Sequence, residues 1–239
     1  AKSMSGKFKK IIWLILMVEL VIIHITLLSK LYLHGYKNAL LVFAVGSLVM
    51  GSVQYLSYRT FVKNCAKNIS RLEGDNIKAA AYEAIRETES DIDKVRIYEN
   101  SETTTPFVMG VFKQNIILSK ECKKSSRLRL ILLHECFHVK RKDTLYKFVM
   151  LIANCFLWFN PLAYCIRYAS YQDIEISCDE SVVKGKTKEE RLEYGEFLIN
   201  SARNTKAKSN VFNAYWNSSK SILKHRIEAV VNENRKWDW

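Results

Sequence analysis

Residues 148–166 read FVMLIANCFLWFNPLAYCI, an uncharged stretch whose placement decides the fold. By length and hydropathy it qualifies as a membrane span. Ten residues before it, at His138, ends the motif His134-Glu135-Cys136-Phe137-His138, and nine residues after it stands Glu175. A straight span would put His138 and Glu175 on opposite faces of a hydrocarbon core about 30 Å thick, too far apart to share an ion. Asn160-Pro161 interrupts the run. Proline disrupts a helix interior, and asparagine before it favours a turn. The expectation is an apolar helical hairpin over residues 145–172, buried or dipped into one leaflet, that returns Glu175 to the histidines.

The metal reading has its own chemistry. His134 and His138 are four residues apart, so on a helix both imidazoles share a face and reach one ion. Glu135 between them can take a proton from water that attacks a carbonyl, which makes it the candidate catalytic base. Two histidines do not complete a zinc site, and a third ligand must come from elsewhere. Glu175 is the best candidate, because it opens Glu175-Ile-Ser-Cys178-Asp179 and so has Asp179 one turn later on its own face. Asp179 can hold the free ring nitrogen of a liganding histidine and set its tautomer. Asp173 and Glu180 are nearby rivals without that pairing. Two histidines, one carboxylate and an open position for water are what a catalytic zinc site requires.

Around this centre the chain is strongly partitioned. Apolar residues make up 49% of the sequence but crowd into three runs, of which 148–166 is the last. The first, residues 11–31, contains Glu19 and His24, which either meet another helix or subunit or have ordinary polar neighbours. The second, residues 39–58, stays uncharged until Arg59 and places Ala44, Ser47 and Gly51 on one face, where a second helix can approach closely. The net charge of +13 would suit nucleic acid, but its placement argues otherwise. Lys7, Lys9 and Lys10 precede the first run, while Arg59, Lys63, Lys67 and Arg71 follow the second. Such clusters mark the cytoplasmic ends of a membrane hairpin and attract anionic lipid. With no phosphate loop or finger spacing beside them, no direct nucleic-acid contact is expected. The six cysteines form no C-x-x-C pair, which fits reduced thiols facing the cytoplasm.

These patterns predict a basic cytoplasmic segment over 1–10, a transmembrane hairpin over 11–60 and a cytoplasm-facing metalloprotease domain over 61–235. Within that domain, residues 76–89 read as a helix and Lys94–Tyr98 as a half-buried strand. PFVMGVF at 106–112 and NIILS at 115–119 read as two more strands around a tight connection, with Gly110 marking a bend or close backbone approach. The rest is mainly helical, so the fold class is an α+β membrane protein with a small sheet.

These residues resemble the membrane zinc metallopeptidases of bacterial β-lactam sensor-transducers (the antirepressor family, peptidase M56). The features that carry the likeness are PFVMGVF…NIILS, HECFHVKRKD, WFNP, EISCD and the late LKHRI. The resemblance implies a gluzincin-type H-E-x-x-H protease domain that binds Zn2+ through His134, His138 and Glu175, with Glu135 as base and Asp179 as the supporting acid. Lys140, Arg141 and Asp143 match the family segment after the motif without an assignable role. Gln114 departs from the proline common after the first of the two strands. The resemblance also implies a bacterial cell membrane setting, multi-pass insertion, and a response to a cell-wall antibiotic. The substrate would be a cytoplasmic repressor, the chain itself, or both, with self-cleavage falling somewhere in 203–225.

Members of that family usually continue into a further membrane helix and, in sensors, a C-terminal penicillin-binding domain. Residues 236–239 therefore read as a truncated end, and the chain as an excised fragment or a reduced member. A homodimer is an assembly open to a membrane sensor of this type. Two other functions fit parts of the pattern: a general quality-control zinc protease of the membrane, and a non-catalytic signalling module stabilised by metal. Glu135 speaks against the last, since a closed structural site has no need of a base.

Overall fold

The computed structural model describes residues 6–71, 75–88, 96–103, 105–123, 127–206 and 220–232. The expected strand start at Lys94, most of the 203–225 stretch and the 236–239 end lie outside the described residues. The chain forms two compact units, one of residues 65–144 and 175–239, the other of residues 4–64 and 145–174.

The second of these units is helical. Helices α1 (Gly6–Leu33) and α2 (Lys37–Lys67) are joined at a turn where Gly35 adopts a φ of 84°. At 1.5 Å per residue, 28 and 31 residues exceed the thickness of a bilayer core. Both are long and apolar enough to cross a membrane. Only Lys9 and Met17 of α1 are buried, while Ile15, Ile22 and Ile25 of α1 and Leu41, Leu48 and Val53 of α2 stay exposed. Apolar side chains on all sides of a helix suit a lipid surround better than water.

The run 148–166 is broken. Helix α6 (Asp143–Phe156) ends before the proline, and α7 (Pro161–Val182) begins at it. Pro161 takes the first helical position, where its missing N–H costs nothing. Asn160 caps the new helix, its Oδ1 accepting from the Leu162 amide at 2.9 Å. The Tyr171 hydroxyl donates to the Lys147 carbonyl, tying α7 back to α6, and Met150, Leu157, Ala163 and Ile166 pack with Met17 of α1.

His24 meets this turn. Its Nδ1 donates to the Leu20 carbonyl at 2.7 Å, and its Nε2 accepts from Asn160 at 3.4 Å, with Phe159 edge-on to the ring. His24 therefore meets residues from outside α1 as well as a polar neighbour within it, while Glu19 stays exposed. The close approach expected at Gly51 occurs instead at Gly46. A Cβ there would fall 2.3 Å from the Trp158 indole, whereas Gly51 has open space around it. Near the start of α1, Asp173 of α7 receives the Lys9 ammonium at 3.3 Å and the Trp13 indole N–H at 2.7 Å. This rival for the third ligand position is therefore committed elsewhere.

The other unit holds a four-stranded mixed sheet of order β1-β2-β4-β3. Its strands are β1 (Ile69–Arg71), β2 (Arg96–Asn100), β3 (Phe107–Met109) and β4 (Asn115–Ser119). β4 runs parallel to β2, with Ile97 opposite Ile116, and antiparallel to β3, with Val108 opposite Ile116. Ile116, Ile117 and Leu118 are fully buried, as a continuous apolar run in a central strand should be. β1, unforeseen in the sequence, is three residues long and pairs antiparallel with β2. Helices α3 (Asp75–Glu87), α4 (Lys120–Lys123), α5 (Leu128–Lys140), α8 (Lys188–Lys206) and α9 (Lys220–Val231) complete the unit with the end of α7. α5 packs against α3 and β3, and Leu132, Leu133 and Cys136 anchor it in the core.

The β3–β4 connection turns on Gly110, whose φ of 100° suits glycine. A side chain has no room at this position, because a Cβ would lie 2.1 Å from the Lys113 carbonyl oxygen. Gly110→Ala should destabilise this unit by about 1–3 kcal/mol, read as a lowered midpoint in chemical denaturation.

Candidate metal centre

Both histidines project from α5, whose apolar face fixes that helix in the core. After Lys140, Lys142 adopts a left-handed φ of 53° and the chain reverses into α6. The reversal brings Asp143 back to the motif, where its Oδ2 accepts from His138 Nδ1 at 2.7 Å. Asp143 is buried, and Arg141 lies 3.7 Å from its other oxygen.

His134 is held through a relay. Its Nδ1 donates to the Tyr194 hydroxyl at 2.8 Å, and that hydroxyl donates to Asp179 Oδ1 at 2.8 Å. Asp179 Oδ1 is itself 3.3 Å from His134 Nδ1. Arg226 of α9 grips the same carboxylate with two bonds, Nε to Oδ2 at 2.6 Å and Nη2 to Oδ1 at 2.9 Å. Burial alone would raise the Asp179 carboxyl, but the guanidinium, with His134, outweighs it and holds the group below the usual carboxylate range.

With each Nδ1 committed as a donor, each Nε2 offers a lone pair whenever its ring is neutral. They face each other at 3.1 Å, and Glu175 Oε2 lies 3.7 Å from each. Two facing lone pairs repel unless a proton or a cation lies between them. Tetrahedral zinc bonds of about 2.0–2.1 Å place neighbouring donors about 3.3–3.4 Å apart, and the three observed separations bracket that spacing. Burial disfavours charge on both rings. The acceptors around them nevertheless raise both well above the ordinary histidine range: Cys178, Tyr194 and Asp179 at His134, and Cys178, Glu175 and Asp143 at His138. A pocket that favours positive charge at that point could take a divalent cation, with His134, His138 and Glu175 as the groups placed to hold it. The Glu175 side chain is 27% exposed against 10% and 9% for the two histidines, so the donor triangle opens toward solvent on the glutamate side.

The structure thus brings His134, His138 and Glu175 together and sets Asp179 beside His134. Glu135 is buried in α5, and among the described residues its carboxylate makes no hydrogen bond or ion pair. Sequence reasoning left Asp143 and Arg226 without roles, although both sit in the segments HECFHVKRKD and LKHRI. Tyr194 carried no signal at all, since nothing in its spacing ties it to the motif. Cys178 was also missed as a neighbour of the site: its sulfur and ring nitrogens of both histidines lie within 4.8 Å of one another. The clue was its place one turn after Glu175.

Tyr194→Phe removes the hydroxyl that orients His134 and should weaken metal affinity about 10–100-fold, as measured by competition with a chelator. Arg226→Met leaves the Asp179 charge buried without its partner and should cost about 3–5 kcal/mol of stability, visible in denaturant melts of the metal-loaded chain.

Known proteins are similar to this chain in sequence. A sequence profile described as BlaR1 peptidase M56 matches residues 31–230. The Regulatory protein BlaR1 of Bacillus licheniformis is 33% identical over 142 residues, 58% of this chain and 24% of that protein. The Methicillin resistance mecR1 protein of Staphylococcus aureus is 28% identical over 141 residues, 57% of this chain and 24% of the relative. A BlaR1 regulatory protein of Staphylococcus aureus is 31% identical over 136 residues, 55% and 23% of the two chains. The match takes in about a quarter of each relative's length. With that profile matching residues 31–230, most of its length, the chain belongs to the BlaR1 peptidase M56 family.

Proposed function

We propose that this chain is a membrane-anchored zinc endopeptidase with a gluzincin-type centre, the protease part of an antirepressor signalling protein. It would cut a cytoplasmic repressor, its own chain, or both, in response to a cell-wall antibiotic. The observation that carries the reading is the convergence of both Nε2 atoms and Glu175 on one point, with a buried acid one residue after His134.

His134, His138 and Glu175 would hold the zinc, which when bound polarises the scissile carbonyl and makes water a competent nucleophile at neutral pH. Glu135 takes the proton of the attacking water and returns it to the leaving amine nitrogen. Asp143 and the Tyr194–Asp179 pair keep each imidazole in the tautomer that leaves Nε2 free. Arg226 balances the Asp179 charge. The peptide itself needs an extended path. β4 is interior to the sheet and β3 lies at its edge, so the outer side of β3 can pair with substrate backbone. Lysines and arginines at both outer ends of the α1–α2 hairpin support a cytoplasmic location for the protease unit.

Glu135→Ala tests the mechanism. The variant should bind zinc in the same stoichiometry yet lose cleavage of the repressor and of itself by a factor of at least about 100. Unchanged proteolysis would sink the assignment of the base. Cleavage by the native chain of many unrelated membrane proteins, with no dependence on a dedicated repressor, would point to quality control instead.

A further inference from the structure

Three protein donors leave zinc a place for water, whereas four close the site. The chain has a fourth donor in place. Cys178 is fully buried, and its sulfur shares a 4.8 Å cluster with nitrogens of His134 and His138. It stands at the third position after Glu175 on α7, so both side chains project from one helical face toward α5. Its Sγ also donates to the His134 carbonyl at 3.3 Å. One sulfur atom therefore has two partners within reach: a backbone oxygen and the point on which the ring nitrogens converge.

We infer that Cys178 is a fourth metal donor that closes the centre, and that the chain is latent until this sulfur moves to the His134 carbonyl. The inference rests on the zinc-protease reading of the same site. Ligation breaks the S–H bond and releases its proton to bulk water, with no change of oxidation state. Thiolate is a soft, strong ligand for zinc and outcompetes water for the position that substrate activation needs. Detachment reverses this step: the sulfur regains a proton from water and donates it to the His134 oxygen. A rotation about the Cys178 Cα–Cβ bond is a small motion that carries sulfur between such positions. Anything that shifts α7 along α5 by a fraction of a turn changes the balance. Cys136, a buried cysteine of α5, takes no part in the donor cluster found among the described residues.

The test uses the full chain in detergent or bilayers, loaded with one equivalent of Zn2+ or Co2+. X-ray absorption of the unmodified zinc protein should show one sulfur neighbour at about 2.3 Å; a shell of nitrogen and oxygen alone overturns the proposal, and no variant is needed to see it. The cobalt protein should show a thiolate-to-metal charge-transfer band that survives Cys165→Ser and disappears in Cys178→Ser. Cys178→Ser should keep one metal per chain and raise basal cleavage about tenfold, as expected where closed centres outnumber open ones by ten to one. A lost band with unchanged cleavage overturns the latency. A thiolate band in a chain that cleaves nothing, with or without Cys178, supports the ligand and overturns the protease reading instead.

Discussion

Two imidazoles on one helix can supply at most two corners of a metal site, so a third donor has to come from another element. Glu175 lies on α7, so its carboxylate reaches α5 only because the helix that carries it returns to the histidines after Asn160-Pro161. Proline removes a backbone donor, asparagine supplies the cap, and an apolar run that could have continued straight becomes two helices. The separations of 3.1 and 3.7 Å among the donors are the product of that one break together with the packing of α7 on α5.

The donors would still be useless if their rings were free to turn. Each histidine is fixed at Nδ1 by an oxygen whose own position is buried, Asp143 for one and the Tyr194–Asp179 pair for the other. Burying two carboxylates is costly unless cations or donors compensate them. Arg226 does so for Asp179 in a two-point grip, which ties α9, the last described helix, to the centre. This explains why residues far apart in sequence act as one group. The core that seats α5 and the charges that orient its histidines are neighbours, since Tyr194 belongs to that core and donates to Asp179.

The helical unit that holds α1 and α2 follows a different rule. There the exposed side chains of α1 and α2 are apolar, and His24, a polar group within α1, is paired with the Leu20 carbonyl and Asn160. Close packing depends on the absence of a side chain at Gly46, against which the Trp158 indole lies. Lys9 and Trp13 close on Asp173, two residues before Glu175 along α7.

Much of this protein is legible in its residues taken in order, because local patterns have local causes. The spacing of His134 and His138 follows from helical periodicity, the strands at 107–109 and 115–119 from apolar runs around Gly110, and the helix break from Asn160-Pro161. The E-x-x-x-D spacing on α7 likewise puts Glu175 and Asp179 on one face. Packing in three dimensions was needed for the groups that meet across long separations: Tyr194 between His134 and Asp179, Arg226 on Asp179, and Cys178 beside both rings. Asp143 joins them, since only the reversal after α5 folds it back on His138. Those contacts depend on how helices pack and on which buried charges must be neutralised, and neither is written in the periodicity of a single segment. The same reason accounts for Gly46 rather than Gly51 at the close approach, since a helical face becomes an interface only when another element is laid against it.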